Sequence, residues 1–275
     1  MTHAETGNIE VNGGRLEFDA AGEGSPVVLL HPGLWDRRTW DDQFGVFAKT
    51  YRVIRYDARG YGRSSRPEPG QPYSPVDDLA AVMDATGIDR AALVGCSMGG
   101  GIAIDFVLAH PGRVSALVLA APGLAGFEGT PDEEASWEAE WGELDREIDA
   151  AIAAGELKRA EDLRLSIWAP LGTDDDAGRR IREIAFDNLH ELTMDESGAT
   201  RPDPPAIERL EEIEAPTLVL PADHDPPWHT RICELLHARI PHSQLVKIPE
   251  TDHVVNVRRP SEFNRVVLEF LGDVL

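Results

Sequence analysis

The stretch Val94-Gly95-Cys96-Ser97-Met98-Gly99-Gly100-Gly101 places a serine between glycines, after one apolar run (residues 91–96) and before another that Pro111 stops. A serine at such a strand-to-helix junction has the G-x-S-x-G pattern of a nucleophile elbow. A serine hydroxyl is a weak nucleophile at neutral pH. It needs a base within hydrogen-bond reach, an acid to orient that base, and N–H donors where negative charge develops. A set of this kind attacks a carbonyl and forms an acyl-enzyme that water releases. The Met98 N–H, one residue past the serine at a helix start, is the first expected donor.

In this serine-first order the acid comes next and the histidine last. "IPETDHVVNVRRP" puts His253 in the loop between the last strand and the last helix, on the sheet edge where the elbow opens. His224, His229, His237 and His242 belong to the acid loop, or to the following helix and its end, and are weaker candidates for the base. "TLVLPADHDPP" ends a strand and presents Asp223 and Asp225. Asp225, further into the loop and just before two prolines, is the preferred acid; Asp223 reads as an Asx-type turn residue. Asp252 cannot easily fold back on its neighbour's ring and is expected to be solvated. The second oxyanion donor is expected from "HPGLWD", where Pro32 has no N–H, leaving Gly33 first and Leu34 second.

The elements that must position these groups follow from hydrophobic pattern. Two alternating runs around Asn12-Gly13-Gly14 read as a hairpin. Apolar runs without alternation, such as Val27–Leu30, read as strands buried on both faces. Strands then alternate with helices of 10–15 residues, which predicts an α/β fold with a mostly parallel central sheet and helices on both faces. The rhythm stops at Pro122 and resumes at Pro216. Between them, residues 131–150 carry nine acids and one arginine, with Trp137, Trp141, Leu144 and Ile148 at helical spacing. A second amphipathic helix fits residues 177–192 through Ile181, Ile184, Ala185 and Leu189. The expected organisation is therefore a core of residues 1–123 and 205–275 with an inserted helical cap, 124–204. Trp168 is expected between the two cap helices, as a substrate-pocket wall or a cap-core residue. Leu34 is the second expected substrate contact.

Over nearly its whole length the chain resembles the α/β-hydrolase superfamily. The matching pieces are "GEGSPVVLLHPG", "YDARGYGRSS", "GCSMGGG", "ADHD" and "TDHVVNVRRPSEFNRVVLEFL". Within it, the chain looks most like the branch of small esterases and lactonases that includes 3-oxoadipate enol-lactonase. His31-Pro32-Gly33 departs from the His-Gly-x of many relatives but keeps a glycine at the donor position. The resemblance implies a Ser97-His253-Asp225 hydrolase of small carboxylic esters or lactones, and a structural role for Asp57, Arg59 and Gly60. Relatives that attack an alkyl carbon carry aspartate at the elbow, so Ser97 points to a carbonyl. The other classes the scaffold admits are a slow or silent ligand sensor and a cofactor-free lyase or perhydrolase. A substrate carboxylate would want a cation, but Arg164, Arg179, Arg180 and Arg182 lie among acids that are expected to pair with them.

Bulk properties exclude other classes. The 275 residues carry a net charge of −23, which repels nucleic acid and anionic membranes. The only two cysteines, Cys96 and Cys233, are expected as free thiols in a cytoplasmic protein. No leader segment, membrane span, metal motif or phosphate loop is expected, so neither metal nor cofactor is called for. The partner is a small-molecule substrate, and the chain is read as a monomer or a homodimer.

Overall fold

The computed structural model describes residues 4–275. Eight strands form one sheet in the order β1-β2-β4-β3-β5-β6-β7-β8. They are β1 (Glu5–Val11), β2 (Gly14–Ala21), β3 (Pro26–Leu30), β4 (Arg52–Tyr56), β5 (Ala91–Cys96), β6 (Val114–Ala120), β7 (Thr217–Leu220) and β8 (Ser243–Leu245). The expected hairpin is there: β1 and β2 pair antiparallel about Val11↔Gly14, and β2 pairs antiparallel with β4. The remaining pairs are parallel. The strands that read as continuous apolar runs are those with helices on both sides, and β5 is buried throughout. β8 is shorter than the run "SQLVKIP" suggests, because only three residues pair with β7.

Two apolar layers hold helices on the sheet. On one face lie α2 (Pro75–Ala85), α3 (Met98–Ala109) and α7 (Pro227–Arg239), through Leu79, Phe106 and Leu236. On the other lie α1 (Asp41–Phe47) and α9 (Pro260–Val274), through Phe47, Phe263 and Val267. A four-residue helix, α8 (Val255–Arg258), precedes α9.

Between β6 and β7 the chain forms three helices where the sequence suggested two: α4 (Pro131–Ala153), α5 (Leu157–Trp168) and α6 (Asp176–Asp187). Thr130 and Glu133 close a capping box at the start of α4, with Pro131 in its first turn. Trp137, Trp141, Leu144 and Ile148 pack against α5. The mixed polarity of "LKRAEDLRLSIW" hid α5 from a reading by apolar stripe, so Trp168 is the last residue of a helix instead of a linker residue. Ile181, Ile184 and Ala185 of α6 pack with Trp35, Val254 and Val257, which belong to the sheet-edge loops and α8.

Two close backbone approaches lie beside the elbow. A Cβ on Gly99 would stand 2.3 Å from the Leu30 carbonyl oxygen, and one on Gly95 would stand 2.4 Å from that of Gly99. Both obstacles are backbone and cannot swing away. Gly99→Ala should cost roughly 1–3 kcal/mol and lower the melting temperature by several degrees. Gly45→Ala, in α1 with nothing within 4 Å of the new methyl, should be neutral or gain up to about 1 kcal/mol from helix propensity. Differential scanning calorimetry of the two variants checks the contrast.

Candidate active site

Ser97 sits where β5 ends and α3 begins, with φ 50° and ψ −115°. A non-glycine residue adopts this left-handed backbone only when its surroundings impose it. Three backbone hydrogen bonds do so. The Ser97 N–H donates to the Ala120 carbonyl at 3.0 Å, and the Ser97 carbonyl accepts from Gly101 at 3.0 Å and Gly123 at 2.9 Å. The turn presents Ser97 to a cavity of about 390 Å³ that Gly33 and Met98 also line. A Cβ on Gly33 would lie 3.9 Å from that of Met98, so the two expected oxyanion residues are neighbours.

His31 shapes the loop that carries Gly33. Its buried ring donates from Nδ1 to the Pro32 carbonyl at 2.8 Å and accepts at Nε2 from the Ala58 N–H at 2.9 Å. Burial lowers its pKa, which suits these neutral roles. Leu34 takes φ 69°, packs against the apolar cluster that contains Trp35, and is not among the cavity-lining residues.

His253 is buried, with Nδ1 at 2.8 and 3.0 Å from the two carboxylate oxygens of Asp225. With Nδ1–H donating to the carboxylate, Nε2 carries the free lone pair that a general base needs. The His253 carbonyl accepts from Cys96 Sγ at 3.4 Å, which sets the histidine loop against the residue preceding Ser97. Burial raises the Cys96 thiol well above its ordinary pKa, so it stays a packed, protonated side chain.

The other acids of these loops have different partners. Asp223 accepts from the Glu250 N–H at 2.8 Å and pairs with Lys247. Asp252 corrects an expectation: it is fully buried, not solvated, and holds Arg258 at 2.7 Å. Asp57 is buried on Arg37 and accepts from the Arg37 and Arg63 N–H groups, while Arg59 pairs with Asp78. The four arginines weighed as carboxylate receptors are all engaged by acids: Arg164 by Glu161 and Glu191, Arg179 by Asp176, Arg180 by Asp42, and Arg182 by Asp162.

Trp168 lies against His253, with ring centroids 4.6 Å apart. It does not line the cavity beside Ser97; it borders a separate cavity inside the helical insertion. His229, which sequence reasoning ranked only as a weaker candidate for the base, lies beside His253. It is 7% exposed, its ring centroid is 4.8 Å from that of His253, and its Nδ1 has no hydrogen-bond partner. The available signal was its position four residues after Asp225, inside the first turn of α7. Among the described residues, Asp225, His229 and His253 form one group whose donor atoms lie within 4.8 Å, close enough to share a divalent metal. Two of the three are already bonded to each other, which favours acid–base use of this set.

Residues 26–260 match the family model of the alpha/beta hydrolase fold. The chain is 30% identical to the 2-hydroxy-6-oxo-6-phenylhexa-2,4-dienoate hydrolase of Burkholderia cepacia, with 94% of this chain and 92% of that protein covered. Among solved structures, an N-acyl homoserine lactone degrading enzyme superimposes with a TM-score of 0.71 at 30% identity, covering 96% of this chain and 100% of that one. The enol-lactonase of Burkholderia xenovorans shares the fold, with a TM-score of 0.72 at 22% identity over 97% of this chain and 100% of that one. Among the described residues no helix is long and apolar enough to cross a membrane.

Burial, and then the nearby His253, pull the His229 pKa down to about 4. The ring is therefore neutral in the folded chain and gains a proton on unfolding between about pH 6.5 and pH 4. Stability present above pH 6.5 is lost as pH falls through about 4, by up to about 3 kcal/mol from this group. Urea unfolding at pH 7.5 and pH 4.5 should show a smaller acid loss for His229→Leu than for the wild type. Equal losses would mean that His229 is protonated in the folded chain.

Proposed function

The chain belongs to the α/β-hydrolase fold family, and from that premise we propose that it is a serine hydrolase of small carboxylic esters or lactones. The observation that carries the reading is the His253–Asp225 hydrogen bond, in a loop set against the residue that precedes a strained, cavity-facing Ser97.

In the mechanism, His253 Nε2 takes the Ser97 proton as Oγ attacks the carbonyl carbon. The N–H groups of Met98 and Gly33 receive the oxyanion, and the positive end of α3 adds to them. His253 then protonates the leaving alcohol, or the alkoxide arm of an opened lactone. Water enters, gives its proton to Nε2 and attacks the acyl-enzyme, and His253 returns that proton to Ser97. Asp225 holds the ring in the tautomer that both half-reactions need and stabilises the imidazolium.

Residues 124–204 act as a cap over this edge, with the Trp168 ring shielding the base from water. Relatives named as dienoate hydrolases take carboxylate-bearing substrates. With Arg164, Arg179, Arg180 and Arg182 committed to acids, none of these four is free to receive a substrate carboxylate.

Ser97→Ala should leave the melting temperature near wild type and lower kcat/KM for p-nitrophenyl acetate and a γ-lactone by about 10³-fold or more. Asp225→Asn should cost on the order of 10³–10⁴-fold through the wrong histidine tautomer. Asp223→Asn removes a half-exposed ion pair and should cost only a small factor. A reversed ranking of the two aspartates would assign the orienting role to Asp223.

A further inference from the structure

The cavity that Ser97 faces is also lined by Tyr61, from the loop after β4. The Tyr61 hydroxyl stands 3.7 Å from the position a Cβ on Gly33 would take, and the Met98 Cβ stands 3.9 Å from the same point. A phenol oxygen and the two residues that supply the oxyanion N–H groups therefore meet at one corner of the cavity. Tyr61 is 5% exposed. Among the described residues no hydrogen bond engages its hydroxyl, yet that oxygen is not one of the sealed, unpartnered polar atoms, so it opens on the cavity. A buried O–H without an acceptor is costly, and a bound acceptor recovers that cost.

The tyrosine is held in place by the same histidine that shapes the oxyanion loop. Its ring meets that of His31 edge to face, with centroids 5.3 Å apart, and His31 is fixed by the Pro32 carbonyl and the Ala58 N–H. The backbone is tied as well: the Tyr61 N–H donates to the Ala58 carbonyl at 3.0 Å, and the Tyr61 carbonyl accepts from the Ser64 N–H at 3.0 Å. Burial, and then the nearby Glu191 and Glu196, lift the phenol pKa well above its ordinary value. The group is therefore a fixed, neutral O–H donor through the range in which His253 is a free base.

Resting on the hydrolase reading above, we propose that Tyr61 is a further catalytic residue, whose O–H donates to the substrate carbonyl oxygen beside the N–H groups of Gly33 and Met98. The proton stays on the phenol throughout. The contact tightens as Ser97 Oγ adds to the carbonyl carbon and the oxygen gains charge. It is thus worth more in the transition state than in the bound substrate.

The test is Tyr61→Phe, measured by hydrolysis of p-nitrophenyl acetate and by inhibition with n-butylboronic acid. In the inhibited form Ser97 Oγ adds to boron, the serine proton passes to His253, and a boron-bound oxygen takes the place of the oxyanion. The variant should lower kcat/KM roughly 10- to 100-fold, since two N–H donors remain, and raise the boronic acid Ki by a similar factor. Its melting temperature should hold or rise slightly, because the hydroxyl it lacks bonds nothing in the protein. Tyr51→Phe, in the apolar layer under α1, is the control and should leave both readouts within about twofold of wild type. Tyr61→Phe with unchanged kcat/KM, or with lost turnover but unchanged boronic acid affinity, would overturn the role while the hydrolase reading stands. A wild type that neither hydrolyses the acetate nor takes the boronic acid would overturn both.

Discussion

The site depends on one backbone conformation, the left-handed turn at Ser97. It is held by hydrogen bonds from both ends: to the Ala120 carbonyl of the neighbouring strand, and from Gly101 and Gly123 to the serine's own carbonyl. The turn can be this tight only because residues 95 and 99 have no Cβ, as each would run into backbone carbonyls at well under contact distance. Strain of this order, about 1–3 kcal/mol for a non-glycine residue, persists only in a rigid frame. That frame is the fully buried β5 between two layers of helices. The placement of Ser97 and the direction of α3 follow from it.

A second set of contacts ties the helical insertion to the loops of the catalytic edge. Trp35 Nε1 donates to the Ile181 carbonyl at 2.9 Å, and Asn188 reaches Asp36 at 2.9 Å and accepts from the Gly62 N–H at 2.8 Å. Arg231 of α7 pairs with Glu133 at the start of α4, and Trp228 meets Trp137 at 4.0 Å between ring centroids. The insertion is thus fastened both to the segment that carries Gly33 and to the helix that follows Asp225. Its acids pair with Arg146, Arg159, Arg164, Arg179 and Arg182, and the cavity beside Ser97 is lined by residues of α2, α3 and the segment near 196–201.

Much of this was legible in the sequence, because the signals were local. An apolar run without alternation marks a buried strand, and β5, α3 and the hairpin at Asn12-Gly13 stand where such patterns put them. Asp225 and His253 were found from chain order and loop position, and the structure brings them into hydrogen-bond contact. What was illegible depended on contacts between distant segments. Asp252 looked solvated because its partner Arg258 becomes one only when the loop folds back over α8. Helix α5 was missed because its buried face, Ala160, Leu165 and Ile167, is too narrow to stand out among charges. His229 gives no sign in sequence of Trp168 and His253, which are brought against it from distant segments.

The central claim is that the strained turn and the His253–Asp225 pair make Ser97 the one activated nucleophile of the chain. The most direct measurement is peptide mapping by mass spectrometry after treatment of the folded protein with an activated alkyl phosphonate ester. The account predicts one adduct per chain, on the peptide that contains Ser97, with labelling strongly slowed in His253→Ala. An adduct on Cys96 or another residue, or labelling of Ser97 that ignores the loss of His253, would contradict it.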